Sequence, residues 1–339
     1  MEKIRFKLAA AILVILFLIT STPNTASAAV VKRSLTPQRV FQFAPPVQDQ
    51  IIQTFDNGAG ADVYFAQQVG SDTRLSRCSR TATGICAQRD SVILPGYGHG
   101  ESLEVYTEKG RTYAWVGSKA VQATVYKFAS EVSLIEYIKA RAGSKLAKYR
   151  VVGTLTNLAA VAPGKTGAGI RSNVAIADGS DRLALRVQVD SAASSSYYAI
   201  YKTAALTALM KKAPGKKLSI VKAKSLMVSQ FKEPARPHNS FQGFDIKGVG
   251  TNKKFLYVFG GQPGQAPTIY RFAYANGGKV KQDRTYVIKG AYVASLEAEG
   301  IKVEADPTNG GKVRIQHSLN PTGRDKAGRK MFRLYSFAE

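Results

Sequence analysis

The chain has 339 residues, of which 48 are Lys or Arg and 23 are Asp or Glu, for a formal net charge of +25, and 45% are hydrophobic. That apolar share is ordinary for a globular protein, which excludes a disordered polycation and a collagen-like fibre. At the start of the chain, Lys3, Arg5 and Lys7 precede an apolar run from Leu8 to Thr20, and a polar stretch then ends in Ala26-Ser27-Ala28. These are the three parts of a secretory signal peptide, so residues 1–28 are expected to be cleaved after Ala28. The apolar run falls short of the ~20 residues that span a bilayer. Removal leaves 311 residues at a net charge of +23. A secreted, extracellular and strongly cationic protein is expected. The anionic partners it would meet are wall polymers such as teichoic acids, membrane headgroups, acidic polysaccharides and stray nucleic acid.

After the leader the apolar runs are short, rich in Val, Ile, Tyr and Phe, and bounded by Gly, Asp, Asn and Ser, which is the pattern of strands. A three-part unit recurs five times: a small-polar opening strand, a Tyr/Val-rich strand, and a strand of the type x-[VI]-Tyr-[KR]-Phe. The first copy runs from Gln50–Phe55 through Ala61–Ala66 to Arg74–Arg77. Next come Cys78 and Cys86, flanking a Gly/Thr turn and well placed for a disulfide across a hairpin in an oxidising compartment. The second copy is His99-Gly-Glu-Ser-Leu-Glu-Val-Tyr106, Arg111–Ser118 and Ala123-Thr-Val-Tyr-Lys-Phe128. The third runs from Arg171–Ile176 to Asp181–Arg186 and Tyr198–Lys202. The fourth is His238-Asn-Ser-Phe-Gln-Gly-Phe-Asp245, Lys254–Gly261 and Thr268-Ile-Tyr-Arg-Phe272, and the fifth spans Ala294–Ala298, Lys312–Gln316 and Met331–Phe337.

Strand-rich units that cannot bury both faces alone stack radially, so the expectation is an all-β, five-bladed β-propeller with short helical insertions, forming one domain over residues 29–339. Two stacked β-sandwich domains are the alternative. The units average about 62 residues against roughly 40–50 for a propeller blade, so insertions are expected. Residues 131–149, with Leu134, Ile135 and Ile138 at helical spacing, and residues 203–236 are read as surface excursions. In a propeller the first strand of each blade lines the channel. Gln53, Glu104, Asn173, Gln242 and Glu297 are then expected to face the axis, either as binding groups or as polar groups tying blades together.

Pro163-Gly-Lys-Thr166 is not a phosphate loop, because Ala159 stands where the first Gly is required. No Gly-x-Ser-x-Gly elbow or His-Glu-x-x-His pair occurs, and His99, His238 and His317 are not at ligand spacing to the thiols, so neither metal nor cofactor is expected. If the protein were a glycosidase, Glu104, Asp245 and Glu297 would be the candidate carboxylates. No catalytic residue is assigned, and no enzymatic activity is expected. Basic residues gather at Lys145, Lys148 and Arg150, then at Lys211, Lys212, Lys216, Lys217, Lys222 and Lys224, then from Arg324 to Lys330. Few aromatics interleave with them, which disfavours a dedicated nucleic-acid groove. They could instead draw the protein toward an anionic cell-wall polymer or membrane surface.

His99-Gly-Glu-Ser-Leu-Glu-Val105, Trp115-Val-Gly117 and above all Asn239-Ser-Phe-Gln-Gly-Phe-Asp245 resemble the helveticin J family of large class III bacteriocins. The resemblance covers most of residues 50–339. It implies an exported antibacterial protein that binds and perturbs the envelope of related Gram-positive bacteria without cleaving the wall, and related propellers serve as receptor-binding parts of phage tails. A monomer is expected. A wall-polymer or glycan-binding protein without killing activity is the runner-up reading.

Overall fold

The computed structural model describes residues 29–339 except 45–49, 123, 180, 193–194, 213, 249–253, 291–295, 307–308, 322, 325–327 and 329. The expected leader, residues 1–28, lies outside the described residues, as does part of the basic stretch 324–330. Two N-terminal strands, β1 (Val31–Leu35) and β2 (Gln38–Phe43), precede a series of antiparallel meanders. The first meander holds β3 (Ile52–Asn57), β4 (Asp62–Val69), β5 (Asp72–Arg80) and β6 (Ile85–Leu94), and the second β7 (Leu103–Glu108), β8 (Arg111–Ala120), β9 (Ala129–Ile138) and β10 (Lys148–Thr156). The third has β11 (Arg171–Ile176), β12 (Arg182–Gln188) and β13 (Ser196–Lys202). Helix α1 (Thr203–Lys211) and short strand β14 (Lys217–Ser219) then intervene before its outer strand, β15 (Met227–Lys232). The fourth comprises β16 (Gly243–Lys247), β17 (Lys254–Gly260), β18 (Thr268–Tyr274) and β19 (Val280–Ile288), and the last β20 (Leu296–Ala305), β21 (Val313–Pro321) and β22 (Arg333–Ala338).

Hydrogen bonding divides these strands into four sheets, the largest of eight strands. Within it, the last meander takes β2 as its outer strand, Gln38 opposite Ser336, so the start of the chain completes a sheet built by its end. A two-pair parallel link, Gln42 to Ile85 and Phe43 to Cys86, joins β2 to the first meander. There Cys78 and Cys86 form a disulfide between β5 and β6. Strand β1 adds in parallel to β19, and β14 to β10, covering edges that would otherwise expose unpaired amides and carbonyls.

The opening strands β3, β7, β11, β16 and β20 each pack against the next, and β20 packs back on β3. Apolar residues gather in several clusters, each drawn from two neighbouring meanders. Trp115 and Leu134 meet Leu185 and Tyr201, Tyr198 and Phe231 meet Phe244 and Val258, and Tyr257 and Phe259 meet Ile315 and Tyr335. The approach of the opening strands is close enough to demand glycine. A Cβ on Gly300 of β20 would stand 2.9 Å from the Thr54 Cα of β3, and one on Gly243 2.7 Å from the Glu299 carbonyl.

Three sequence expectations need correcting. Residues 131–149 are not a surface excursion: they supply most of β9 and the start of β10, and Leu134 pairs opposite Trp115. Leu134 and Ile135 are both buried because the sheet is covered on both faces, and consecutive apolar residues then mimic helical spacing. The expected strand Ala123–Phe128 has Ala123 outside the described residues, and 124–128 form not a strand but a loop whose Val125 and Tyr126 are 88% and 61% exposed. In 203–236 the helix is an excursion, but Met227–Lys232 is the outer strand of its sheet, paired with β13. The repeat unit also has a fourth strand that a three-part reading leaves out.

Candidate functional site

The opening strands all run in one direction along the central axis, so their early residues meet at one end and their late residues at the other. Gln53, Glu101, Arg171, Gln242, Glu297 and Glu299 line a cavity of about 430 Å³ at the first end. At the second end Asp56, Glu104, Asp178, Lys302 and Glu304 line one of about 140 Å³. A three-residue step carries Gln53 to Asp56, Glu101 to Glu104, Gln242 to Asp245 and Glu299 to Lys302, from the wide cavity to the narrow end.

Two β-bulges aim residues into the wide cavity. Opposite β4 the register passes from Ile52 to Thr54 and leaves Gln53 unpaired. In β20 it passes from Ala298 to Ile301, so that Glu299 and Gly300 stand against Ser318 alone, whose Oγ accepts a hydrogen bond from the Gly300 amide at 2.9 Å. A bulge bends its strand and re-aims a side chain, a common arrangement beside binding sites.

The cavity wall is held by committed cations. Arg171 donates to both oxygens of Glu101, with Nε to Oε2 at 2.8 Å, and to the Phe241 carbonyl at 3.0 Å. Its guanidinium lies over the Phe128 ring at 4.2 Å and the Phe241 ring at 4.8 Å. Arg186 covers Phe241 at 3.7 Å and pairs with Glu233, which also holds Arg236. Burial alone would raise the Glu101 carboxyl, but Arg171 and His99 together hold it below the usual carboxylate range. Glu299 goes the other way: burial, then the neighbouring Glu297 and Glu101, push it well above that range. Burial also raises Glu297.

At the narrow end one ammonium serves three buried carboxylates. Lys302 Nζ lies 2.5 Å from Glu104, 3.5 Å from Asp56 and 3.9 Å from Asp245. Asp56 accepts from the Asn57 and Val105 amides, and Asp245 from the Ile246 and Val303 amides, so each latches its own strand to another opening strand. Burial raises Asp56, raises Glu104 strongly, and brings Asp245 to about 7, with Lys302 opposing it in each case. Burial would lower Lys302, but the three carboxylates hold it well above the usual lysine value.

The residues read from sequence as one axial ring divide between these ends. Gln53, Gln242 and Glu297 line the wide cavity, Asn173 lies deeper between the ends, and Glu104 belongs to the Lys302 cluster. The proposed carboxylate trio is likewise split: Glu104 and Asp245 share Lys302, and Glu297 stands at the opposite end. Glu101, Arg171, Glu299 and Lys302 escaped the sequence reading. The repeat alignment was displaced by three residues in the second copy, where the Gly-Glu of His99-Gly-Glu101 was the better register mark.

The lysines lie at the perimeter. Lys211 pairs with Glu108 and lies 4.6 Å from the Tyr113 ring, and Lys217 on β14 pairs with Glu131 at 3.2 Å. Lys212, Lys216, Lys222 and Lys224 are exposed and make no ion pair among the described residues.

Fold and site together define an all-β protein of several sheets around a polar axis, a class with propeller-like relatives among solved structures. The tail fiber of Staphylococcus aureus phage P68 superposes with a TM-score of 0.56 at 14% identity, over 90% of this chain and 53% of that one, so this chain spans about half the length of the fiber. An alpha-L-arabinofuranosidase from Lactobacillus brevis gives 0.50 at 11% identity, over 89% and 91% of the two chains. A GH32 beta-fructofuranosidase from Bombyx mori gives 0.50 at 8% identity, over 89% and 62%. Such identities speak for fold alone. No curated protein matches this chain in sequence. Residues 48–285 match the family described as bacteriocin helveticin-J, and the chain belongs to that family. The segments His99–Glu101 and Asn239–Gln242, which carry the family resemblance, both line the wide cavity.

Proposed function

We propose that this protein is a secreted, monomeric, bacteriocin-like antibacterial five-bladed propeller that binds the anionic envelope of related Gram-positive bacteria and perturbs it without enzymatic lysis. Family membership supports the antibacterial role. The cyclic packing of the opening strands supports the blade count, with β2 closing the ring. A disulfide fits an oxidising exterior, and a phage tail fiber of similar fold fits recognition of a bacterial surface.

The observation that carries the binding claim is the set of exposed lysines at positions 212, 216, 222 and 224, without carboxylate partners among the described residues, on a protein of net charge +23 once the leader is removed. Unpaired cations on so positive a protein attract polyanions over distances set by the Debye length, about 8–10 Å at physiological salt. The non-enzymatic reading draws support from Glu104 and Asp245, whose carboxylates are occupied by Lys302 and backbone amides. Two assays test the proposal. Spotting on lawns of related Gram-positive strains should give clearing, and absence of clearing across a broad panel would sink the killing claim. Capture on purified walls should weaken when teichoic acid is stripped or salt is raised to about 0.5 M.

A further inference from the structure

The wide cavity carries more hydrogen-bond acceptors than the protein satisfies. Its cations are spoken for: Arg171 is shared among Glu101, Phe241 and Phe128, and Arg236 is held by Glu233. Gln53, 6% exposed, aims a carbonyl oxygen with no partner among the described residues. Glu299, 3% exposed, accepts no hydrogen bond among the described residues, and Glu297 receives a 3.4 Å contact from Gln242 and feels the charge of Lys330. A buried acceptor without a donor is costly. An occupant that relieves it must bring donors.

The same groups define the occupant's chemistry. An anion would meet Glu297 and Glu299 at close range, with Arg171 and Arg236 already committed to Glu101 and Glu233, which disfavours the phosphates and uronates that the exposed lysines favour. A metal ion is no better match, because the described residues include no group of three His, Cys, Asp or Glu placed to hold one. The cavity, about 430 Å³, falls within the roughly 300–1,000 Å³ of small-ligand clefts. At its rim the exposed Tyr126 ring stacks on Phe128 with centroids 5.5 Å apart, offering a flat apolar face. Hydroxyl donors around a ring with one apolar face are the features of a sugar.

We propose that the wide cavity is a saccharide pocket that takes one uncharged pyranose ring, with its hydroxyls donating to Glu299, Gln53 and Glu297 and its apolar face on Tyr126. It deepens the envelope-binding proposal and rests on it for the source of the sugar. The protein then has two contacts of unlike chemistry: a lysine edge for polyanions and an axial pocket for a neutral glycan residue.

The test is saturation-transfer NMR on the full protein with methyl glucoside, methyl galactoside and methyl N-acetylglucosaminide, with glucuronate and glycerol phosphate as anionic comparators. Transfer to at least one neutral glycoside is expected. Its affinity should fall at least tenfold in Glu299→Ala and Gln53→Ala, and severalfold in Tyr126→Ala, a surface change that leaves the fold readable if the interior variants do not assemble. Silence from all three glycosides, preference for the anions, or undiminished binding in Tyr126→Ala would overturn the pocket. Wall capture separates the two proposals. Salt-sensitive capture without a sugar signal ends the pocket alone, and a sugar signal without capture ends the envelope reading alone.

Discussion

The two ends of the axis are made by the same opening strands, three residues apart along each, yet they differ in how their charges are settled. At the narrow end Lys302 and four backbone amides answer Asp56, Glu104 and Asp245, and the Val105 and Val303 amides and the Lys302 ion pairs cross from one opening strand to another. At the wide end Glu299, 3% exposed, and the Gln53 carbonyl find no hydrogen-bond donor among the described residues. A satisfied cluster holds a structure together, whereas an unsatisfied one stores free energy that a ligand can release. The difference separates the end that locks the strands from the end built to receive something.

The sharpest way to break this comparison is Lys302→Met. It strands three buried carboxylates and should cost about 3–5 kcal/mol of unfolding free energy at neutral pH, read from urea titration. A loss below about 1 kcal/mol would mean that the narrow end is not a lock. Cys86→Ala offers a reference remote from both ends. Opening the loop between Cys78 and Cys86 should cost about 2–3 kcal/mol while leaving saccharide binding unchanged.

Glu299→Gln should move the other way, gaining about 1 kcal/mol as a buried acid pressed by Glu297 and Glu101 gives way to a neutral amide, at the expense of ligand affinity. Destabilisation by this variant would show that Glu299 has a structural partner. The pH profile of Asp245→Asn tests the lock again. The folded-state carboxyl lies at about 7, above its ordinary 3.8, so between these values the folded chain binds more protons than the unfolded one. Wild-type stability relative to the variant should therefore fall as pH rises from about 4 to 7 and level off above. Smallest of all, replacing Lys212, Lys216, Lys222 and Lys224 by Glu should change stability by less than about 0.5 kcal/mol per site while abolishing wall capture.

Much of the strand content was legible, because short β-branched and aromatic runs between Gly and Asp leave little choice of element. Asn239–Asp245 and Lys254–Gly261 lead into strands as their pattern indicates. Residues 131–149 misled because a strand covered on both faces shows no period-two alternation. Gln53, Gln242 and Glu297 line one cavity together. Glu104 was grouped with them although it belongs to the other end, since nothing in a linear pattern tells which end of a strand a polar residue will meet.

The sequence by itself determined the element type, the recurrence of the unit, the cysteine pair and the cationic excess, all consequences of local composition and spacing. Only the tertiary structure decided which acceptors keep their donors. Satisfaction of a buried polar group depends on neighbours from other strands, 198 residues away for Lys302 and Glu104. The bulges that aim Gln53 and Glu299 arise from pairing register, a property of two strands together and of neither alone.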